Sequence, residues 1–213
     1  EVAAIATDKS VVVKAVFDQT VSEFDGVFGM PNLNLLNTLI GIPEYQENAK
    51  IAVTSKTVDG VTVPTGLHFE NAVGDFKNDY RFMSEVLVNE KVRQTTFRGV
   101  KWDVEFEPSV RNIQRLKSMT QANADESTFT AKTDGGDLKF YFGDQTTHSG
   151  DFVFAADVKG TFNKGYLWPI AVVNSILALP GDKTFKLSEA GAAMITVNSG
   201  LAKYEFILPA QQK

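Results

Sequence analysis

The stretch Asn37-Thr38-Leu39-Ile40-Gly41-Ile42-Pro43 returns as Asn174-Ser175-Ile176-Leu177-Ala178-Leu179-Pro180, an offset of 137 residues from Pro43 to Pro180. That spacing is too long for a solenoid repeat and suits one domain. Each copy reads as the end of an uncharged helix. Asn and Ser/Thr alternate with branched apolar residues, and a proline then stops the helix. A strand pattern follows each copy, Lys50-Ile51-Ala52-Val53-Thr54 in the first and Lys183-Thr184-Phe185-Lys186-Leu187 in the second. The chain is therefore expected to hold two copies of one domain.

The 213 residues suit one large or two small domains, and a hydrophobic content of 43% is enough for packed cores. Sixteen Phe against two Trp, with many β-branched residues, favour sheets. The absence of cysteine excludes disulfides and thiolate metal sites and fits a reducing cytosol. A net charge of −5 means that any nucleic-acid footprint has to be a local basic patch on an acidic body. The longest uncharged runs, Gly26 to Pro43 and Gly165 to Gly181, are interrupted by Pro and Asn and fall short of the roughly 20 apolar residues of a membrane span. No membrane association is expected. The opening Glu1-Val2-Ala3-Ala4 has neither the basic start nor the cleavage pattern of a signal peptide.

Alternation predicts strands at Val2–Ala6, Ser10–Phe17 and Thr20–Phe28, then a helix opened by Met30-Pro31 and running to Gly41. Strands at Ala49–Ser55, Thr65–Asn71 and Asp79–Met83 follow, with Asp59-Gly60 as a hairpin turn. Ser84 to Gly99 is mixed in charge and without clean period; it reads as a connector with one extended stretch at Glu85–Val88. A strand at Trp102–Phe106 and a helix from Pro108 to Asn123 come next. Then follow strands at Thr128–Thr133, Leu138–Phe142 and Asp151–Val158, with Asp134-Gly135-Gly136-Asp137 as a turn. A helix over Pro169–Leu179 and strands at Thr184–Leu187, Ala192–Asn198 and Leu201–Leu208 close the chain. The fold class is α+β. The boundaries expected are 1–83 for a first domain, 84–100 for the connector and 101–213 for a second domain. The second reads β-α-βββ-α-βββ and the first βββ-α-βββ, as expected of a chain lacking an opening strand and helix.

Little in the sequence points to catalysis. His68 and His148 are far apart and lack metal-ligand spacing. No Ser sits in a nucleophile elbow, and Gly135-Gly136 lies between strands, not before a helix as a phosphate loop does. Asp18, Glu23 and Asp25 cluster, which admits a glycosidase carboxylate pair, but solvated turn acids explain them more simply. Neither an enzyme activity nor a cofactor or metal is expected.

One polar feature stands out. The helix after Pro108 places Val110, Ile113, Leu116 and Met119 on an apolar stripe, and Arg111, Gln114, Arg115, Ser118 and Gln121 opposite, with Lys117 on the flank. Between Pro108 and Ala124 there are three basic residues and no acidic one. A solvated face would be bland, but an acid-free face on an acidic chain suits phosphate.

At this point the sequence resembles a family. The two-domain repeat of βαβββ halves is similar to DNA sliding clamps. Glu23-Phe24-Asp25-Gly26-Val27-Phe28-Gly29 running into Leu33–Ile40 resembles the processivity clamp of T-even-like bacteriophages. So do Val104-Glu105-Phe106 before the basic helix and Phe162 before the last helix, while the ending Gly200-Leu201-Ala202-Lys203-Tyr204-Glu205-Phe206-Ile207-Leu208-Pro209 resembles the last strand and tail of ring clamps more generally.

The resemblance implies a homotrimeric ring, with helices lining the hole and sheets outside. It implies that Arg111, Arg115 and Lys117, with Gln114 beside them, face double-stranded DNA without reading sequence. Lys164 and Lys159 flank the last helix and join that set. Asn32, Asn34, Asn37, Asn174 and Ser175 are expected to face water in the hole. It places a partner site at Val86, Leu87, Val88 and Phe97 in the connector and Leu208 and Pro209 at the tail; stapling the two domains together is the competing role for the connector residues. Implied partners are a DNA polymerase and a clamp loader, with transcription factors a further class, in the cytoplasm of an infected bacterium. A β-rich structural phage or virion protein with no DNA role is the competing reading.

Overall fold

The computed structural model describes residues 1–92, 97–144, 146 and 148–211. It contains strands β1 (Val2–Ile5) and β2 (Val12–Phe17), helix α1 (Leu33–Ile40), strands β3 (Lys50–Val58), β4 (Val61–Glu70) and β5 (Lys77–Arg81), and helix α2 (Glu85–Val92). These are followed by β6 (Val104–Phe106), α3 (Val110–Ala122), β7 (Thr128–Asp134), β8 (Asp137–Phe142), β9 (Gly150–Ala155) and β10 (Leu167–Pro169). Helix α4 (Ile170–Leu177) and strands β11 (Asp182–Ser188), β12 (Ala192–Asn198) and β13 (Ala202–Pro209) end the chain. Every sheet pairing between named strands is antiparallel.

The chain divides into two compact units, one of residues 1–19 with 97 onward, the other spanning Thr20–Thr96. The first holds a six-stranded sheet, β1-β2-β13-β12-β11-β6, and a four-stranded sheet, β10-β7-β8-β9. They meet through phenylalanines. Phe140 stacks on Phe154 at 4.2 Å between ring centroids, and both rings approach Phe185 of the other sheet edge-on, at 6.4 and 6.3 Å. Leu116 of α3 and Val173, Ile176 and Leu177 of α4 close this core from the helix side. The abundance of Phe is thus spent on a dense interior, where each ring buries a large apolar area.

The second unit is smaller. Its sheet is β3-β4-β5, and its core is Leu39, Tyr45, Phe69 and Tyr80. Val58 pairs with Val61 across Asp59 (φ 51°) and Gly60 (φ 81°), the doubly left-handed turn that Asp-Gly favours. Pro64 is tolerated in a central strand because it lies at a bulge, where the register shifts between Thr54 and Ser55. Gly66 beside it is required by space, since a Cβ there would collide with the carbonyl of Tyr80.

Several expectations are corrected. The sequence boundaries place residues 2–17 in the first domain, yet β2 pairs with β13, Lys14 opposite Glu205, and so extends the sheet of the C-terminal unit. Thr20–Phe28 is not a strand. It holds a short 3-10 turn at Ser22–Phe24, and Phe24 and Phe28 pack with Phe82, the latter stacked at 4.5 Å. Burying three rings in one cluster outweighs the alternation. Glu85–Val88 is helical, not extended. Glu85 occupies the first turn, where its charge favours the N-terminus, and Asn89 donates back to it at 3.5 Å. Pro31 stays outside α1. Asn32, at φ 53°, caps the helix instead by accepting from the Leu35 N–H. The short strand β10, absent from the sequence reading, pairs Trp168 with Phe129.

The heptapeptide repeat lands on matching elements: the last turns of α1 and α4, each an eight-residue helix followed by three antiparallel strands. The copies are not equally covered. Ile170 and Leu177 are 9% and 2% exposed, whereas Leu33 and Ile40 at the same register are 59% and 50% exposed. In the first unit α3 lies against α4. Among the described residues of the second unit no helix does the same for α1.

Candidate nucleic-acid interface

Helix α3 starts where Ser109, in extended conformation, accepts from the Asn112 N–H at 3.2 Å. Ile113 and Leu116 are buried and Met119 is half-buried beneath them. Val110, expected on the same stripe, is 73% exposed, so the apolar contact begins one turn later. Along β9 the helix sits very close, and a Cβ at Gly150 would meet Met119 Cε at 2.7 Å. Asn174 of α4 donates to Thr120 of α3 at 3.2 Å and joins the two helices side by side. Asn174, expected in open water, is therefore half-buried, and its Oδ1 has no partner. Ser175 is exposed, as are Asn34 and Asn37 on α1.

The outward side of this helix pair carries Arg111, Gln114, Arg115, Lys117, Ser118 and Gln121 from α3, and Ala171, Ser175 and Ala178 from the region of α4. No acidic residue lies within α3; the carboxylates nearest it in sequence are Glu107, before the Ser109 cap, and Asp125 and Glu126, after the helix end. Arg111 and Lys117 have no side-chain partner among the described residues. Arg115 differs. Its Nη1 lies 3.4 Å from Asn112 Oδ1 and 3.4 Å from the Val153 carbonyl of β9, and its Cζ is 5.2 Å from the centre of the Phe152 ring. Sequence reasoning missed this restraint. The Asn112–Arg115 spacing of three was visible, but Phe152 and Val153 come from a distant strand.

Arg111 stands in the first turn of α3, against the helix dipole, and that turn has no acid. A cation there costs about 0.3–1 kcal/mol of helix stability. Its position is unfavourable for helix stability alone.

Of the remaining sequence candidates, Lys159 and Lys164 are exposed in the segment between β9 and β10, on neither helix. His68 on β4 lies between two carboxylates, with Nδ1 2.8 Å from Asp79 and Nε2 3.3 Å from Glu70. The hydrogen bond to Asp79, then that to Glu70, raises its pKa above 6.5. The stability this pairing contributes is complete below about 6.5, the unfolded value, and is lost as pH rises through the higher folded value. The melting-temperature advantage of the wild type over His68→Gln should be present at pH 5.5 and absent at pH 9. An advantage that grows with pH would overturn this assignment. His148 lines an open cleft of about 480 Å³ at the end of α3 with Asn123, Asp125 and Glu126. No group of His and carboxylates able to hold a metal occurs among the described residues.

No protein-family profile and no curated protein sequence matches the chain. Among solved structures it matches A. fulgidus PCNA, determined with the C-terminal region of FEN-1 bound. The TM-score is 0.67 over 99% of this chain and 84% of that one, at 11% identity. PCNA from Thermococcus kodakaraensis matches at TM-score 0.65 over 98% of this chain and 85% of that one, at 10% identity. The chain has the PCNA-type clamp fold. At such identities the likeness is one of fold, and it accounts for the α+β architecture and the repeat.

Within this clamp fold the residues singled out as a partner site are divided. Val86 and Leu87 are exposed on α2, while the Val88 side chain turns inward over Gly29. Phe97, in the other unit, is stacked on Trp102 at 6.2 Å. Leu208 is fully buried in the core of that unit and cannot anchor a docked peptide; it holds β13 in place. Pro209 is exposed, and the tail beyond it is fixed by the Ala210 N–H to Gly191 and the Gln211 N–H to Leu167.

Proposed function

We propose that the protein is a DNA sliding clamp. Copies of the chain close into a ring around duplex DNA and tether a replicative polymerase. The acid-free outward face of α3, in a clamp fold, carries this reading. Arg111, Lys117 and Gln114 offer donors to phosphate oxygens without any element placed to read base edges. Such contact is weak and indifferent to sequence. Retention then rests on topology, and the cationic face attracts the duplex without fixing its register.

The strand edges support ring closure. Inside the chain β2, the last strand before α1, pairs with β13, the last strand after α4. The repeat relates β2 to β9, since the same offset carries buried Ala15 onto buried Phe152. By order along the chain β13, the third strand after α4, answers to β5, the third strand after α1. Among the described strands β9 and β5 each have one unpaired edge. Joining β9 of one copy to β5 of the next repeats the internal pairing head to tail, the kind of contact that closes rings. Three copies of this two-domain chain form the ring, of the type found in T-even-like phages, served by a clamp loader in the infected cell. Exposed Val86 and Leu87 are the surface offered to the polymerase.

Light scattering should return the mass of three chains. At high protein concentration the ring should stay on a nicked circular plasmid and be lost when the plasmid is linearised. A monomer at all concentrations, or equal retention on both DNAs, would sink the proposal.

A further inference from the structure

The three cations of α3 are not equivalent, and the difference assigns Arg115 a separate task. We infer that Arg115 is a junction residue: it sets the free edge of β9 for pairing with β5 of a second copy and does not contact phosphate. This inference rests on the ring reading above.

Four observations carry it. First, Arg115 is tied to β9 and to nothing beyond it except its own helix, through the Val153 carbonyl, the Phe152 ring and Asn112. A guanidinium stacked on an aromatic ring and sharing two acceptors has fewer free donors to offer than Arg111 or Lys117, which have no side-chain partner among the described residues. Second, β9 is the outermost strand of its sheet, paired on one side only, with β8. Third, the β8·β9 ladder is irregular, its register shifting between Leu138 and Lys139, opposite Ala155 and Val153. Arg115 thus grips the strand next to the place where the regular ladder fails. Fourth, in the internal β2·β13 pairing, Val16 is the residue related to Val153 by the repeat, and it pairs with Lys203. Val153 therefore holds, on β9, the place that lies inside the ladder on β2. Arg115 therefore holds the carbonyl of a residue inside the expected ladder.

An edge strand held in one conformation loses less entropy on pairing than a loose one, so the restraint appears as tighter association. Lysine cannot replace it. A Lys ammonium is a point charge without the planar fork that stacks on Phe152 while reaching Val153.

The test compares Arg115→Ala, Arg115→Lys and Arg111→Ala with the wild type, after circular dichroism and melting confirm folding. A dilution series followed by sedimentation reads assembly, and anisotropy of a labelled duplex against salt reads DNA contact. Both Arg115 variants should need about tenfold or more higher concentration to assemble, with the salt dependence of assembled rings unchanged. Arg111→Ala should show the reverse. Arg115 variants that assemble like the wild type while losing salt dependence would overturn the inference and return Arg115 to the DNA face. A wild type that never assembles would remove the ring reading itself, a distinct outcome.

Discussion

Reversing Arg111 and Lys117 together to Glu should abolish DNA binding and leave the protein as stable as before, or slightly more so. Each cation that neutralises a phosphate contributes about 0.9 to the slope of log affinity against log salt. In the proposed ring of three, two per chain would make about six contacts. Their removal should cost on the order of a thousandfold in affinity at low salt, with a nearly flat salt response. Stability should not follow. Both residues are exposed and unpartnered among the described residues, and Glu in the first turn of α3 is favoured by the helix dipole by about 0.3–1 kcal/mol. Duplex anisotropy over a salt series, beside urea denaturation, reads both halves of the expectation. An unchanged salt slope would remove α3 from the interface. A steep fall in stability would mean that these cations support the fold.

The second large effect is in the core. Phe140 is fully buried, 4.2 Å from Phe154 and 4.3 Å from Phe129, with Phe152 and Phe185 further out. Phe140→Ala removes the ring on which both sheets of the larger unit converge. The cost should be about 3–5 kcal/mol, against the roughly 5–15 kcal/mol that holds a domain together. Trp102 and Trp168 both belong to that unit, so tryptophan fluorescence in urea follows it selectively. The Trp-detected midpoint should drop sharply. The ring signals of His68, in the other unit with its separate core, should keep their native positions to higher denaturant. A change below about 1 kcal/mol would show that the phenylalanine cluster repacks around the loss.

Local features were legible in the sequence because local chemistry decides them. Asp59-Gly60 and Gly135-Gly136 turn as their backbone requirements dictate, and Ala192–Asn198 forms a strand with the ends that alternation assigns. The basic face of α3 follows from the apolar stripe spaced by three behind it and from the absence of acids. Features set by distant partners were not legible. Val86-Leu87-Val88 has the β-branched content of a strand, yet the Glu85 first turn and the Val88 contact over Gly29 make it helical. Nothing in residues 2–17 announces that they pair with a strand near residue 205, because an edge carries no address in its own sequence. Leu208 looked like a tail anchor until the alternation of β13 turned its side chain inward. Arg115 looked like its neighbours until Phe152 was brought beneath it.

The unequal cover of α1 and α4 sets what each helix tolerates. Positions that match across the repeat answer to different constraints. A polar substitution at Leu177 would put an unsatisfied group into a sealed interior, whereas the same change at Ile40 would only trade one hydrated surface for another. The same repeat position therefore tolerates a polar side chain in one copy and excludes it in the other.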